Sequence, residues 1–122
     1  GARWGGSEET ELLLRAFGAG YRAYYTKSLI AYHPELNFSK LTWLQAMHKG
    51  YSYGLGRGAL FRRLINSPKC GWMLWQWVLS LIKAIGGTGI ACIQGHGKDS
   101  IRHYGAFWGR IIGFVLAKTT QF

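Results

Sequence analysis

The residues best suited to do chemistry are three glutamates near the start of the chain, Glu8, Glu9 and Glu11. They fall where a sequence with helical periodicity begins, and the positive end of a helix dipole favours clustered carboxylates that face outward. A carboxylate held there can accept a proton from a substrate hydroxyl. The other interpretation is a solvated first turn of a well-capped helix, with Glu11 placed to pair with Arg15 four residues later. The residues taken alone favour this second interpretation.

A helix and two short strands would hold these glutamates in place. Apolar residues recur at helical spacing between residues 8 and 18, Ser7 is a suitable N-cap, and the glycines after Phe17 can end the helix. Two aromatic and β-branched runs follow, at residues 21–26 and 29–33. Such runs predict strands.

Three short motifs follow one another in the first 35 residues. They are Ser7-Glu8-Glu9-Thr10-Glu11-Leu12, Ala19-Gly20-Tyr21 and Tyr32-His33-Pro34. In this order they resemble the end of the catalytic domain in family 2 glycosyltransferases of the GT-A fold, whose members often have a Gly-Glu-Asp-x-Asp/Glu-Leu motif, a leucine-rich helix, Ala-Gly-Tyr, and an aromatic-His-Pro ending. The glycines, arginines and apolar segments after residue 50 are similar to the membrane-associated tail of many bacterial members.

The resemblance implies an inverting sugar transfer, in which a carboxylate takes the proton of the acceptor hydroxyl as that oxygen attacks the anomeric carbon. By this resemblance Glu9 is the base, with Glu8 beside it. The family uses a nucleotide-sugar donor, a glycan or lipid-linked acceptor, and a divalent metal (Mg²⁺ or Mn²⁺) on the diphosphate. His33 is a candidate ligand of that metal, with a structural residue at a strand edge as the alternative.

The parts of such an enzyme that bind the nucleotide are not found in this sequence. It contains no Asp-x-Asp turn, since its single aspartate is Asp99. The resemblance therefore implies a C-terminal fragment that is not active alone, with the donor-binding residues and most metal ligands outside it. Residues 1–37 would be α/β in origin, the end of a Rossmann-like domain, while the chain itself would be mainly helical.

Composition and charge indicate contact with an anionic surface. The 122 residues include 15 Lys and Arg against five acids, a net charge of +10, and 48% are hydrophobic. Four of the five acids precede residue 36, so the positive excess lies after that point. Basic, aromatic-rich sequences bind phospholipid headgroups or nucleic acid, and the high apolar content favours anionic membrane lipids over nucleic acid.

Residues 68–93 carry most of the apolar character. The segment is long enough to cross a bilayer, but Lys83 near its middle costs about 2.5–3.5 kcal/mol on insertion. We therefore expect a kinked or re-entrant pair of membrane-associated helices that lies in or dips into one leaflet and bends at the glycines between residues 86 and 89. Tryptophans beside arginines are typical of the headgroup boundary. The predicted membrane contacts are Arg62, Arg63, Trp72, Trp75 and Trp77.

Two more helices are predicted. Residues 39–50 form an amphipathic helix that would lie along the interface and lead into a basic, glycine-rich turn. Arg57 in that turn is a candidate ligand for a lipid phosphate or an acceptor pyrophosphate, with a plain surface charge as the alternative. A last helix over residues 104–118 has glycines at four-residue intervals, which let another helix approach closely. These glycines are Gly105, Gly109 and Gly113.

These patterns divide the chain into three segments. Residues 1–37 are the expected catalytic end, 38–67 the interfacial helix and basic turn, and 68–122 the membrane-associated helices. The expected function is the C-terminal part of a membrane-associated inverting glycosyltransferase at the cytoplasmic face of the bacterial inner membrane. The alternatives are a non-catalytic cationic membrane-binding protein and, with less support, a nucleic-acid binder.

Overall fold

The computed structural model describes residues 8–30, 32, 40–66 and 71–118. In these ranges the chain forms four α-helices and no strand. The helices are α1 (Glu8–Gly18), α2 (Trp43–Leu64), α3 (Met73–Ile93) and α4 (Gly97–Leu116). The expectation of a mainly helical chain is confirmed, and the α/β origin is wrong.

The two predicted strands account for that error. Residues 21–26 have no regular secondary structure, and neither do the described residues of the second run, 29, 30 and 32. Their aromatic side chains are exposed, with Tyr24 at 86% and Tyr25 at 89% of full accessibility. A strand needs a neighbour that pairs with its backbone and buries one face. No described segment pairs with these runs, so β-propensity alone did not decide their conformation.

Helix α1 begins and ends where the sequence predicted. Its C-terminus is closed by the Ala19 amide, which donates to the Arg15 carbonyl, and by the Tyr21 amide, which donates to the Ala16 carbonyl, both at 3.0 Å. Gly20 has a φ of 88°, a conformation that costs glycine little. The predicted N-cap, Ser7, lies outside the described residues.

Helix α2 is longer than predicted. Thr42 caps it in a reciprocal capping box, in which the Gln45 amide donates to Thr42 Oγ1 at 3.2 Å and the Thr42 amide donates to Gln45 Oε1 at 2.9 Å. The helix then continues through the expected basic turn to Leu64. The turn prediction is wrong because two glycines there, Gly54 and Gly58, pack against another helix, and that packing outweighs the weak helix propensity of glycine.

Glycines on α2 and α4 bring the two backbones into contact. A Cβ added to Gly50, Gly54 or Gly58 would strike the backbone of α4 at Arg102, Ala106 or Arg110. The contacted residue numbers on α4 increase as those on α2 increase, so the two helices run parallel. The glycines of α4 meet α2 in the same way, which confirms the close approach predicted from their spacing, although α4 begins seven residues earlier than predicted. They are Gly105 against Met47, Gly109 against Tyr51, and Gly113 against Leu55.

Helix α3 is a single helix, so the predicted pair of helices is wrong. It continues through Gly86, Gly87 and Gly89 to Ile93. Its length and composition are sufficient for a membrane span, and only 11% of its most apolar 18-residue window is buried. A core helix of a soluble protein would bury most of that window. Among the described helices only α3 meets this description.

Helix α3 runs antiparallel to α4. The Trp77 ring stacks on Phe114 with ring centroids 4.1 Å apart, and Trp77 Nε1 donates to the Arg110 carbonyl at 3.3 Å. Toward the other end of the pair, Ser100 Oγ donates to the Thr88 carbonyl at 3.0 Å. The main apolar cluster lies where α2 ends and α3 begins, with Leu14 of α1 and Phe114 of α4 packed against it. Its buried members are Leu60, Phe61, Leu64 and Met73.

We expect Gly109→Ala to destabilise the protein, because the new methyl group would collide with the Tyr51 carbonyl oxygen on α2. Overpacking of this kind costs about 1–3 kcal/mol. The matched control is Gly89→Ala on α3, where an added Cβ meets nothing within 4 Å, and alanine should stabilise the helix by about 0.5–1 kcal/mol. Thermal unfolding in mild detergent, followed by circular dichroism, measures both. Equal melting temperatures for the two variants would contradict the backbone contact.

Candidate functional site

The three glutamates of α1 have different surroundings. Glu8 begins the helix, and its side chain is not described. The Glu9 side chain is exposed. Glu11 accepts hydrogen bonds from Arg63 Nη1 through both carboxylate oxygens, at 2.8 and 2.7 Å, and this partly buried ion pair joins α1 to the last turn of α2. Of the two described carboxylates, Glu9 is the one outside this inter-helix pair.

Arg57 lies within a helix instead of a loop. It is exposed on α2, and its charge acts on Arg110 of α4. Burial lowers the pKa of Arg110, and the nearby positive charge of Arg57 lowers that pKa further. Arg110 Nη1 donates to the Ser80 carbonyl of α3 at 2.7 Å, so this arginine ties the two helices together. The role of Arg57 in binding phosphate or pyrophosphate stays a prediction.

The five predicted membrane contacts divide into two groups. Trp72 and Trp75 are 56% and 62% exposed, as a residue that meets lipid must be. The other three make contacts within the bundle: Trp77 stacks on Phe114, the Arg62 guanidinium lies 5.4 Å from the Phe114 ring centre, and Arg63 binds Glu11. The sequence did not predict these internal roles, because each partner is distant along the chain.

No metal site is assembled in the described part of the chain, where no three His, Cys, Asp or Glu residues lie close enough to hold an ion. His33, the predicted ligand, lies outside the described residues. His103 on α4 faces Gly87 of α3. Burial lowers its pKa, as does the positive charge of Arg102, so the neutral imidazole is favoured there. These residues give no donor set for the expected Mg²⁺ or Mn²⁺.

An open groove lies between the first half of α2 and the middle of α4. Its volume is about 870 Å³, and its lining is mostly apolar. Residues before and early in α2 form one side and were predicted as an apolar helix face. Tyr104 and Trp108 of α4 form the other side, which the sequence did not predict. Lys49 adds a positive charge to the lining, and its other polar residues are Gln45, His48, Ser52 and Tyr53. The main apolar lining residues are Leu41, Leu44, Met47, Tyr51, Tyr104 and Trp108.

Comparison with protein-family models, with curated proteins and with solved structures finds no match to this chain.

We expect Glu11→Gln to loosen α1 from the bundle, because it removes the charge that Arg63 binds. A partly exposed pair of this kind contributes about 1 kcal/mol. Hydrogen exchange of the α1 amides measures the loosening. The control is Glu9→Gln, which removes the same charge from an exposed position of the same helix. Faster exchange in the Glu11 variant alone is the expected result, and equal exchange in both variants would contradict the structural role of the pair.

Proposed function

We propose that this chain is the membrane-associated part of an inverting glycosyltransferase, and that α3 attaches it to a membrane rich in anionic lipid. The single observation that supports membrane attachment is α3 itself, a continuous apolar helix of 21 residues that the rest of the protein leaves mostly exposed. Burying such a surface in hydrocarbon is favourable by about 25 cal/mol per Å².

The uneven distribution of charge along the chain supports the choice of an anionic lipid. Eleven of the 15 Lys and Arg residues follow residue 35, with Asp99 as the only acid there. Each basic residue near an anionic leaflet contributes about 1 kcal/mol of attraction. Exposed Trp72 and Trp75 at the start of α3 are suited to the headgroup level, because an indole ring combines an apolar body with a polar N–H.

The transferase part of the proposal is supported by the sequence resemblance of residues 7–34. In the proposed reaction, Glu9 takes the proton of the acceptor hydroxyl. Its carboxylate is exposed, so an acceptor can reach it. A nucleotide-sugar is the donor, a glycan or lipid-linked molecule is the acceptor, and the cytoplasmic face of a bacterial inner membrane is the location. The divalent metal of the family would be held mainly by residues outside this chain, and it would supply positive charge beside the donor diphosphate.

Liposome flotation tests membrane attachment. We expect the protein to float with vesicles that contain 30% phosphatidylglycerol, and Ile82→Asp to abolish flotation, since this side chain of α3 is 59% exposed and a buried carboxylate would oppose insertion. The matched control is Leu12→Asp on α1, another exposed aliphatic position, which should still float. Flotation of the Ile82 variant at the wild-type level would contradict attachment through α3.

A transfer assay tests the catalytic part. In a protein that joins this chain to its donor-binding residues, Glu9→Gln should lower acceptor-dependent release of nucleoside diphosphate by about 10²-fold or more, because the amide cannot accept the proton. Flotation should be unchanged. Turnover at the wild-type rate would remove Glu9 from the mechanism while leaving membrane attachment intact.

A further inference from the structure

We propose that the groove between α2 and α4 binds the hydrocarbon chain of one anionic phospholipid, with the lipid phosphate beside Lys49. The inference rests on the proposed membrane attachment, since a bilayer supplies such a lipid. The groove is a second lipid-binding site, separate from α3, because no residue of α3 lines it.

The size and lining of the groove fit a hydrocarbon chain. Its volume of about 870 Å³ falls in the range of pockets that enclose small organic ligands, about 300–1,000 Å³. Leu41, Leu44 and Met47 line it with aliphatic carbon. A sugar ring can stack on aromatic side chains, and Gln45 and Ser52 could bind some of its hydroxyls. The hydroxyls that face the aliphatic groups would lose their hydrogen bonds to water, at a cost in free energy. The lining therefore favours a lipid chain over a glycan.

The walls of the groove are held in place by the helix packing beneath them. Gly105 lies directly against the Met47 carbonyl of α2, so the floor is backbone against backbone. On α4, Tyr104 and Trp108 meet edge to face with ring centroids 6.4 Å apart. A groove between two fixed helices exists before a ligand arrives, which reduces the ordering needed on binding.

The charge of the groove selects the headgroup. Lys49 lines it and holds its ammonium 5.9 Å from the ring centre of Tyr53, and His48 stands next to it in the chain. Among the described residues that line the groove, none is acidic. A phosphate at the open edge would meet a positive side chain while the attached hydrocarbon stays among apolar ones. A fatty chain with a cationic head would be repelled by Lys49.

Decyl phosphate tests the site without a membrane. The protein is held in a fluorinated surfactant, whose chains mix poorly with hydrocarbon, and decyl phosphate is added below its micelle concentration. Calorimetric titration measures affinity, with decyl glucoside as the same chain on a neutral head and butyl phosphate as the same head on a short chain. We expect decyl phosphate to bind most tightly of the three.

Two variants test the two parts of the site. Ser52→Phe places a ring in the groove from α2 and should weaken decyl phosphate binding by about tenfold or more. Lys49→Gln should weaken it by about fivefold, and should abolish the preference for decyl phosphate over decyl glucoside. Lys83→Gln removes the same charge from exposed α3 and should leave affinity unchanged. Circular dichroism verifies that each variant is folded.

Four results would overturn the site: no binding by the wild-type chain, equal affinity in a folded Ser52→Phe variant, equal affinity in the Lys49 variant, or butyl phosphate binding as tightly as decyl phosphate. The membrane proposal fails separately, through vesicles that do not float the wild-type chain. The Ser52→Phe variant should float with vesicles like the wild type, and the Ile82→Asp variant should bind decyl phosphate like the wild type. Failure of the groove proposal can therefore be distinguished from failure of the membrane proposal.

Discussion

The direct contact between the backbones of α2 and α4 is the constraint on which the rest of the structure depends. Each helix presents a row of glycines to the other, so no side chain separates them. That contact fixes the distance between the helices, their parallel direction and their register. Because the two helices run the same way, the chain must return between them, and α3 makes this return along the free side of α4. The groove lies beside the same contact, because Gly105 and Met47, which meet there, both line it.

The sequence predicted the elements whose signals are local. Neighbouring residues were sufficient to recognise three features. These are the apolar spacing of α1 and the glycines that end it, the row of glycines on α4, and the long apolar segment that forms α3. The row at Gly50, Gly54 and Gly58 was missed because the glycines around residue 56 were interpreted as a turn. The available signal was the identical four-residue interval on two segments, which indicates a pair of packed helices. The two strands were predicted from propensity, which cannot supply a pairing partner.

The candidate site shows the same division between local and distant information. Three glutamates at one helix start look alike in the sequence, and Arg15 is the nearest suitable partner for Glu11 along the helix. In the folded chain Arg63, which is distant in sequence, binds Glu11 and leaves Glu9 outside the pair. Only one side of the groove could be predicted from the sequence. An amphipathic pattern indicated the α2 side, whereas Tyr104 and Trp108 line the groove only because α4 packs against α2. Contacts between residues that are distant along the chain are set by tertiary packing, which cannot be derived from a single sequence.

The position of the Glu11–Arg63 pair has a consequence for where two ligands could sit. Arg63 is in the last turn of α2, whereas Lys49 is in its first half, and the rise of an α-helix separates them by about 21 Å along the axis. Helix α1, with Glu9, is therefore tethered at the opposite end of the bundle from the groove. A phospholipid lodged at Lys49 and an acceptor hydroxyl held at Glu9 would occupy separate places. Under the two proposals, neither ligand would therefore displace the other.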